Sequence, residues 1–172
     1  LWEKGKGNPV LYGLWKLKDA RATKTLVLVE GESDCWTLWF HGFSALGFPG
    51  ADMAGKLEAQ HLKEIQTLFI LNEKDKGGQS FISGLTNRLK EINWHGNAFI
   101  VTLPDGIKDP NDLHKAFPQD FKKLFHKALD QALPLEYSKN SKQTKHLKGN
   151  TSLQLLGIAH SNESLIVPEN GW

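Results

Sequence analysis

The sequence predicts an α/β domain built on a parallel sheet of about four strands with helices on both faces. Three observations carry this expectation. Short apolar runs, Leu26-Val27-Leu28-Val29, Thr67-Leu68-Phe69-Ile70-Leu71 and Ala98-Phe99-Ile100-Val101-Thr102-Leu103, have the length and β-branched content of strands buried on both faces. Helical patterns alternate with these runs from 26 to 133. Each run ends on acids, and open α/β sheets place their ligands at the carboxyl ends of their strands.

In chain order, Pro9-Val10-Leu11-Tyr12-Gly13-Leu14-Trp15-Lys16-Leu17 shows enough alternation for one or two short strands. Residues 1–25 are expected to form a β appendage beside the main sheet, and Gly5-Lys6-Gly7-Asn8 a turn. The first main strand stops at Glu30-Gly31-Glu32-Ser33-Asp34, where Gly31 permits a sharp turn and Ser33 is a candidate cap. The helix that follows, about Ser33 to His41, is apolar on most sides, so Trp36 and Trp39 are expected in the core, and Gly42 closes it. Phe43-Ser44-Ala45-Leu46 reads as a short strand, Gly47–Asp52 as a loop, and about Lys56 to Ile65 as a helix.

The strand at 67–71 ends in Asn72-Glu73-Lys74-Asp75-Lys76-Gly77-Gly78. Glu73 and Asp75 are two apart and point the same way in extended chain. A helix over about 79–92 follows, with Phe81, Ile82, Leu85, Leu89 and Ile92 as its apolar stripe. Gly77 and Gly78 are expected to turn the backbone into this helix, whose free N–H groups suit an anion. The strand at 98–103 ends at Pro104-Asp105-Gly106-Ile107-Lys108-Asp109-Pro110-Asn111-Asp112, with Asn111 or Asp112 as candidate caps, and about Gln119 to Leu133 reads as helix. Pro134 closes a main domain over 26–137. Residues 138–150 read as a basic linker, and 151–172 as the start of a further module or a disordered tail.

The 172 residues carry 21 Lys and Arg against 19 Asp and Glu, a net charge of +2. That balance is uneven: 1–25 and 138–149 hold +4 each and 150–172 holds −2, which leaves −4 for 26–137. Basic flanks around an acidic centre suit a polyanion held at its edges while cations fill the middle. Lys139, Lys142, Lys145 and Lys148 are the candidate nucleic-acid contacts. One cysteine excludes an internal disulfide and a cysteine-built zinc cluster. No apolar run reaches membrane-spanning length and no signal peptide opens the chain, so no membrane partner and a cytoplasmic setting are expected. The first residue is Leu1, so a fragment of a longer protein is expected.

Carboxylate-rich strand ends without His or Cys favour Mg²⁺ or Mn²⁺. Paired ions of that kind stabilise the attacking and leaving oxygens of phosphoryl transfer. The glycines at 77 and 78 lack the spacing of a phosphate-binding P-loop.

Taken in order, Val29-Glu30-Gly31-Glu32-Ser33-Asp34, Leu46-Gly47-Phe48-Pro49-Gly50-Ala51, the 72–78 run and the 103–112 run resemble the Toprim domain, a compact Rossmann-like fold, most closely as it occurs in bacterial, phage and mobile-element primases. The resemblance implies Glu30 as general acid/base or metal ligand, with Asp34, Glu73 and Asp75 as further metal ligands. Glu73 stands where that family's acidic pair begins with Asp, and Asp109-Pro110-Asn111 where it often has Asp-Pro-Asp. Asp109 is therefore only a candidate additional acid. The implied activity is Mg²⁺- or Mn²⁺-dependent joining of ribonucleoside triphosphates into primers on single-stranded DNA, with a helicase module in the same or a partner chain. Toprim nucleases use the same acids, and Toprim topoisomerases add a tyrosine nucleophile. Two readings of another class are a receiver-like domain, with a phospho-acceptor Asp after the third strand and a Lys after a fifth, and a non-catalytic nucleic-acid-binding module.

Overall fold

The computed structural model of the chain describes residues 9–137. The turn expected within 1–8, the linker expected over 138–150 with Lys139, Lys142, Lys145 and Lys148, and the module or tail expected over 151–172 lie outside the described residues. The described elements are α1 (Leu17–Thr23), β1 (Thr25–Glu30), α2 (Glu32–Phe40), β2 (Ala45–Phe48), β3 (Thr67–Leu71), α3 (Lys76–Glu91), β4 (Asn97–Val101), α4 (Pro110–Ala116), α5 (Phe121–Asp130) and β5 (Leu133–Pro134). The sheet runs β2-β1-β3-β4-β5. The first four strands are parallel, and β5 pairs antiparallel with β4 through Phe99–Pro134 and Ile100–Leu133.

Side-chain alternation splits the core into two layers. Leu26 and Leu28 of β1 face one side with Leu46, Phe48, Leu68 and Ile70, and are covered by Leu17 and Ala20 of α1 and by Phe81, Leu85 and Leu89 of α3. Val27 and Val29 face the other side with Phe69, Leu71 and Val101, under Cys35 and Leu38 of α2, Leu113 of α4 and Phe121, Phe125 and Leu129 of α5. Full burial of each such large side chain contributes about 1.5–3 kcal/mol. Helices therefore cover both faces of a sheet whose centre is β1 and β3, as expected.

Three local expectations are corrected. The strands expected over 9–17 reduce to one antiparallel bridge, Tyr12 to Gly47, before a 3₁₀ turn at Leu14–Lys16 and then α1. Leu11, Leu17 and Ala20 enter the core, so this segment packs into the main body and is not an appendage beside it. The helix expected over 56–65 is two 3₁₀ turns, Met53–Lys56 and Ala59–Leu62, split where Leu57 is buried and Glu58 is extended. Trp36 is 59% exposed and Trp39 half-buried, because α2 buries only its Asp34, Cys35 and Leu38 side. Trp36 instead donates its indole N–H to the Tyr12 hydroxyl at 2.6 Å.

The order β2-β1-β3-β4 has a functional consequence. Beyond β1 the chain crosses to β2 on one side, and beyond β3 it crosses to β4 on the other. The sheet's topological switch point therefore lies between the carboxyl ends of β1 and β3, where ligands bind in open α/β sheets.

Candidate active site

Glu30 is the last residue of β1, and Glu73 and Asp75 follow β3, so the three carboxylates flank the switch point. Gly31, at φ 94°, turns the chain out of β1 straight into α2. This conformation is one that residues with a Cβ rarely adopt. Glu30 Oε1 is buried without a hydrogen-bond partner. Burial pushes its carboxyl up to about 6, with Glu73 and Asp75 adding to the rise and Lys108 opposing it.

Asp75 is the N-cap of α3. Its Oδ1 accepts the Gly78 N–H at 2.9 Å, and this bond leads the effects that hold its carboxyl below the usual carboxylate range. The expected anion seat at this helix start is thus used by the protein's own carboxylate. The two glycines do not shape a turn; they are in the first turn of α3. A Cβ on Gly78 would collide with the Glu73 backbone. A Cβ on Gly77 would lie 3.1 Å from Asp75 Oδ1 and 3.8 Å from Glu30 Oε2, so the bare glycine keeps open the space beside both carboxylates.

Asp34 is buried in the first turn of α2 and accepts the Asn111 N–H at 3.4 Å. Burial raises its carboxyl to about 7, helped by Asp109, Glu73 and Asp112 and opposed by the Asn111 hydrogen bond. It therefore sits between Glu73 and the start of α4. Asp109 is the N-cap of α4, its Oδ1 accepting the Asp112 N–H at 2.7 Å, so neither Asn111 nor Asp112 takes that position.

Two lysines complete the arrangement. Lys108 Nζ lies 3.0 Å from Glu73 Oε2 and 3.4 Å from Asp75 Oδ2. Lys74 Nζ lies 2.5 Å from Asp105 Oδ1. Both pairs tie the turn after β3 to the turn after β4. Sequence reasoning assigned these lysines no part. The available signal was that a turn sharing an edge with three acids carries a base beside its own acids.

Among the described residues, no three His, Cys, Asp or Glu side chains are grouped tightly enough to hold a metal ion as they stand. The donor chemistry nonetheless suits a hard divalent cation. The donors are oxygen only, one buried oxygen lacks a partner, the space over Gly77 is open, and a positive group already lies against Glu73 and Asp75.

The sheet in the order β2-β1-β3-β4, with acids at the ends of its two central strands, has the fold of primase catalytic cores. Among solved structures, the E. coli primase catalytic core matches with a TM-score of 0.60 at 22% identity, over 73% of this chain and 40% of that one. A DNA primase domain from Pseudomonas aeruginosa matches with a TM-score of 0.59 at 20% identity, over 77% and 40%. A DnaG primase catalytic domain bound to single-stranded DNA matches with a TM-score of 0.59 at 21% identity, over 77% and 41%. The chain thus spans about two fifths of the length of the primase structures it matches. No family model and no curated protein sequence matches.

Proposed function

We propose that the chain carries the catalytic Toprim domain of a DNA primase, which joins ribonucleoside triphosphates into primers on single-stranded DNA. The observation that carries this reading is the meeting of Glu30, Glu73 and Asp75 at the switch point of a primase-like sheet. Glu73 and Asp75, with Glu30 and Asp34 beside them, would hold Mg²⁺ or Mn²⁺. Bound there, the ion supplies charge stabilisation to the oxygens of a transferring phosphoryl group. Glu30, held near 6, is poised to take or give a proton close to neutral pH. Asp75, held ionised by the start of α3, keeps its negative charge across that range.

The topoisomerase alternative needs a tyrosine at the acids. The chain has two, and neither lies there. Tyr137 is buried and donates its hydroxyl proton to the Gly96 carbonyl, just before β4 at the opposite end of the sheet, and Tyr12 pairs with Gly47 and Trp36. The receiver reading shares the strand order 2-1-3-4-5. It requires a parallel fifth strand ending in Lys, whereas β5 is a two-residue antiparallel edge. No helix among the described residues is long and apolar enough to cross a membrane.

The test is primer synthesis by the full-length protein on single-stranded DNA with ribonucleoside triphosphates and Mg²⁺. Short RNA products that vanish in EDTA are expected. Shortening of the DNA without RNA synthesis would move the domain to the nuclease reading. Nucleic-acid binding with neither reaction would leave a binding module.

A further inference from the structure

Lys108 is a charged group set in the acidic centre that the reading above does not use. One ammonium, delivered from the turn after β4, touches two carboxylates delivered from the turn after β3, at 3.0 Å and 3.4 Å. The lysine side chain is 55% exposed while that of Glu73 is 11% exposed. A flexible, half-solvated tether thus reaches inward to cover a buried acid. The neighbouring Lys74–Asp105 pair joins the same two turns independently. The two turns also leave adjacent strands paired along their whole length, so they stay together when Lys108 moves.

We propose that Lys108 is a tethered counter-ion of the acidic centre, which a divalent cation entering at Glu73 and Asp75 displaces toward an incoming phosphate. The proposal rests on the reading of these acids as metal ligands. An ammonium and a divalent ion repel each other and compete for the same carboxylate oxygens, and the ion carries twice the charge. Ion pairs of a half-exposed lysine are weak enough to exchange. A released lysine at the mouth of the site is a mobile point charge suited to phosphate. Before the ion enters, the same ammonium relieves the repulsion among Glu30, Glu73 and Asp75.

The experiment compares the 172-residue chain with Lys108→Gln, Lys108→Arg and Lys74→Gln. Mn²⁺ binding is followed by the electron paramagnetic resonance of the free ion, and melting temperature is measured in EDTA. Lys108→Gln should bind Mn²⁺ about threefold more tightly or better, since the competing ion pair is gone. It should also melt lower in EDTA and gain more from Mn²⁺ than the parent. Lys108→Arg should resemble the parent. Lys74→Gln removes an equal charge that touches neither Glu73 nor Asp75, and should tighten binding less than Lys108→Gln. With Mn²⁺ saturating, inorganic tripolyphosphate should bind Lys108→Gln several-fold more weakly than the parent. Unchanged Mn²⁺ affinity in Lys108→Gln, or equal tightening in Lys74→Gln, would overturn the displacement while leaving the metal reading intact. Equal tripolyphosphate affinity would overturn the transfer to phosphate. No Mn²⁺ binding by any of the proteins would sink the metal reading and the displacement together.

Discussion

Glu30 and Asp75 are carboxylates of one site with opposite environments. Burial raises the first to about 6, and the hydrogen bond from Gly78 lowers the second. Glu30→Gln keeps the shape and removes the titration. Primer synthesis should fall about 10²–10⁴-fold if Glu30 moves the proton, while Mn²⁺ affinity falls much less. Asp75→Asn should lose metal affinity and activity together while keeping its fold, because Asn caps a helix about as well as Asp. Equal losses of Mn²⁺ affinity in the two variants would place Glu30 among the ligands. Asp34 gives a separate test in metal-free protein. Its carboxyl is raised from 3.8 to about 7, so the folded state binds the proton more tightly than the unfolded chain does. That contribution is complete below pH 3.8 and is lost as pH rises through about 7. Asp34→Asn retains the acceptor for Asn111 and has no charge to bury. In EDTA it should exceed the parent in stability at pH 8, by about 1–3 kcal/mol, and the difference should vanish near pH 4. Urea melts at the two pH values check it, and a constant difference would mean that ionisation of Asp34 is not the cause.

At the scale of elements, the two glycines that open α3 separate stability from site geometry. Gly78 packs against the Glu73 backbone, so Gly78→Ala has to displace that turn. A loss of about 1–3 kcal/mol by chemical denaturation is expected, as for other overpacked positions. Gly77 meets only carboxylate oxygens, so Gly77→Ala should leave stability within about 1 kcal/mol, helped by the better helix propensity of Ala. Its methyl group would take space beside Glu30 and Asp75, and Mn²⁺ affinity should fall. The contrast fails if both variants destabilise alike. The same helix shows how far the sequence can be read. Its apolar stripe, Phe81, Leu85 and Leu89, announces its buried face, and the doubly buried runs announce β1 and β3. The 3₁₀ turns after β2 were not legible, because the buried Leu62 and Ile65 stand three apart as on a helix face, while nothing in the sequence marks the extended Glu58 that breaks the segment. The segment from Tyr12 to Leu17 misled for the converse reason. Alternation over so few residues also fits a bridge, a 3₁₀ turn and the start of a helix. The acids were legible from their places at strand ends. Lys108 was not, since its partners lie more than thirty residues away and are brought together only by pairing of β3 with β4.

Across the whole molecule, the charge distribution bears on the proposed action on a nucleic-acid strand. Residues 26–137 hold a net −4, while 1–25 and 138–149 hold +4 each. The acidic centre cannot attract a phosphate backbone without its cations, so affinity for a strand has to come from the basic flanks. Each phosphate neutralised on a single strand releases condensed counterions and steepens the fall of affinity with salt, by about 0.7 in the log–log slope. Lys139, Lys142, Lys145 and Lys148 hold four of the chain's 21 bases within ten residues, with no acid among them. Replacing all four with Gln should weaken binding to single-stranded DNA and reduce the magnitude of the salt slope by up to about 3. Mn²⁺ affinity should not change, because the metal reading rests on acids of the sheet edge. Fluorescence anisotropy of a labelled oligonucleotide across a salt series measures the slope. A parallel downward shift of the line without a change of slope would mean that these lysines act on the protein and not on phosphate. An unmoved line would make the run solvation only and transfer the strand contact to the bases of 1–25.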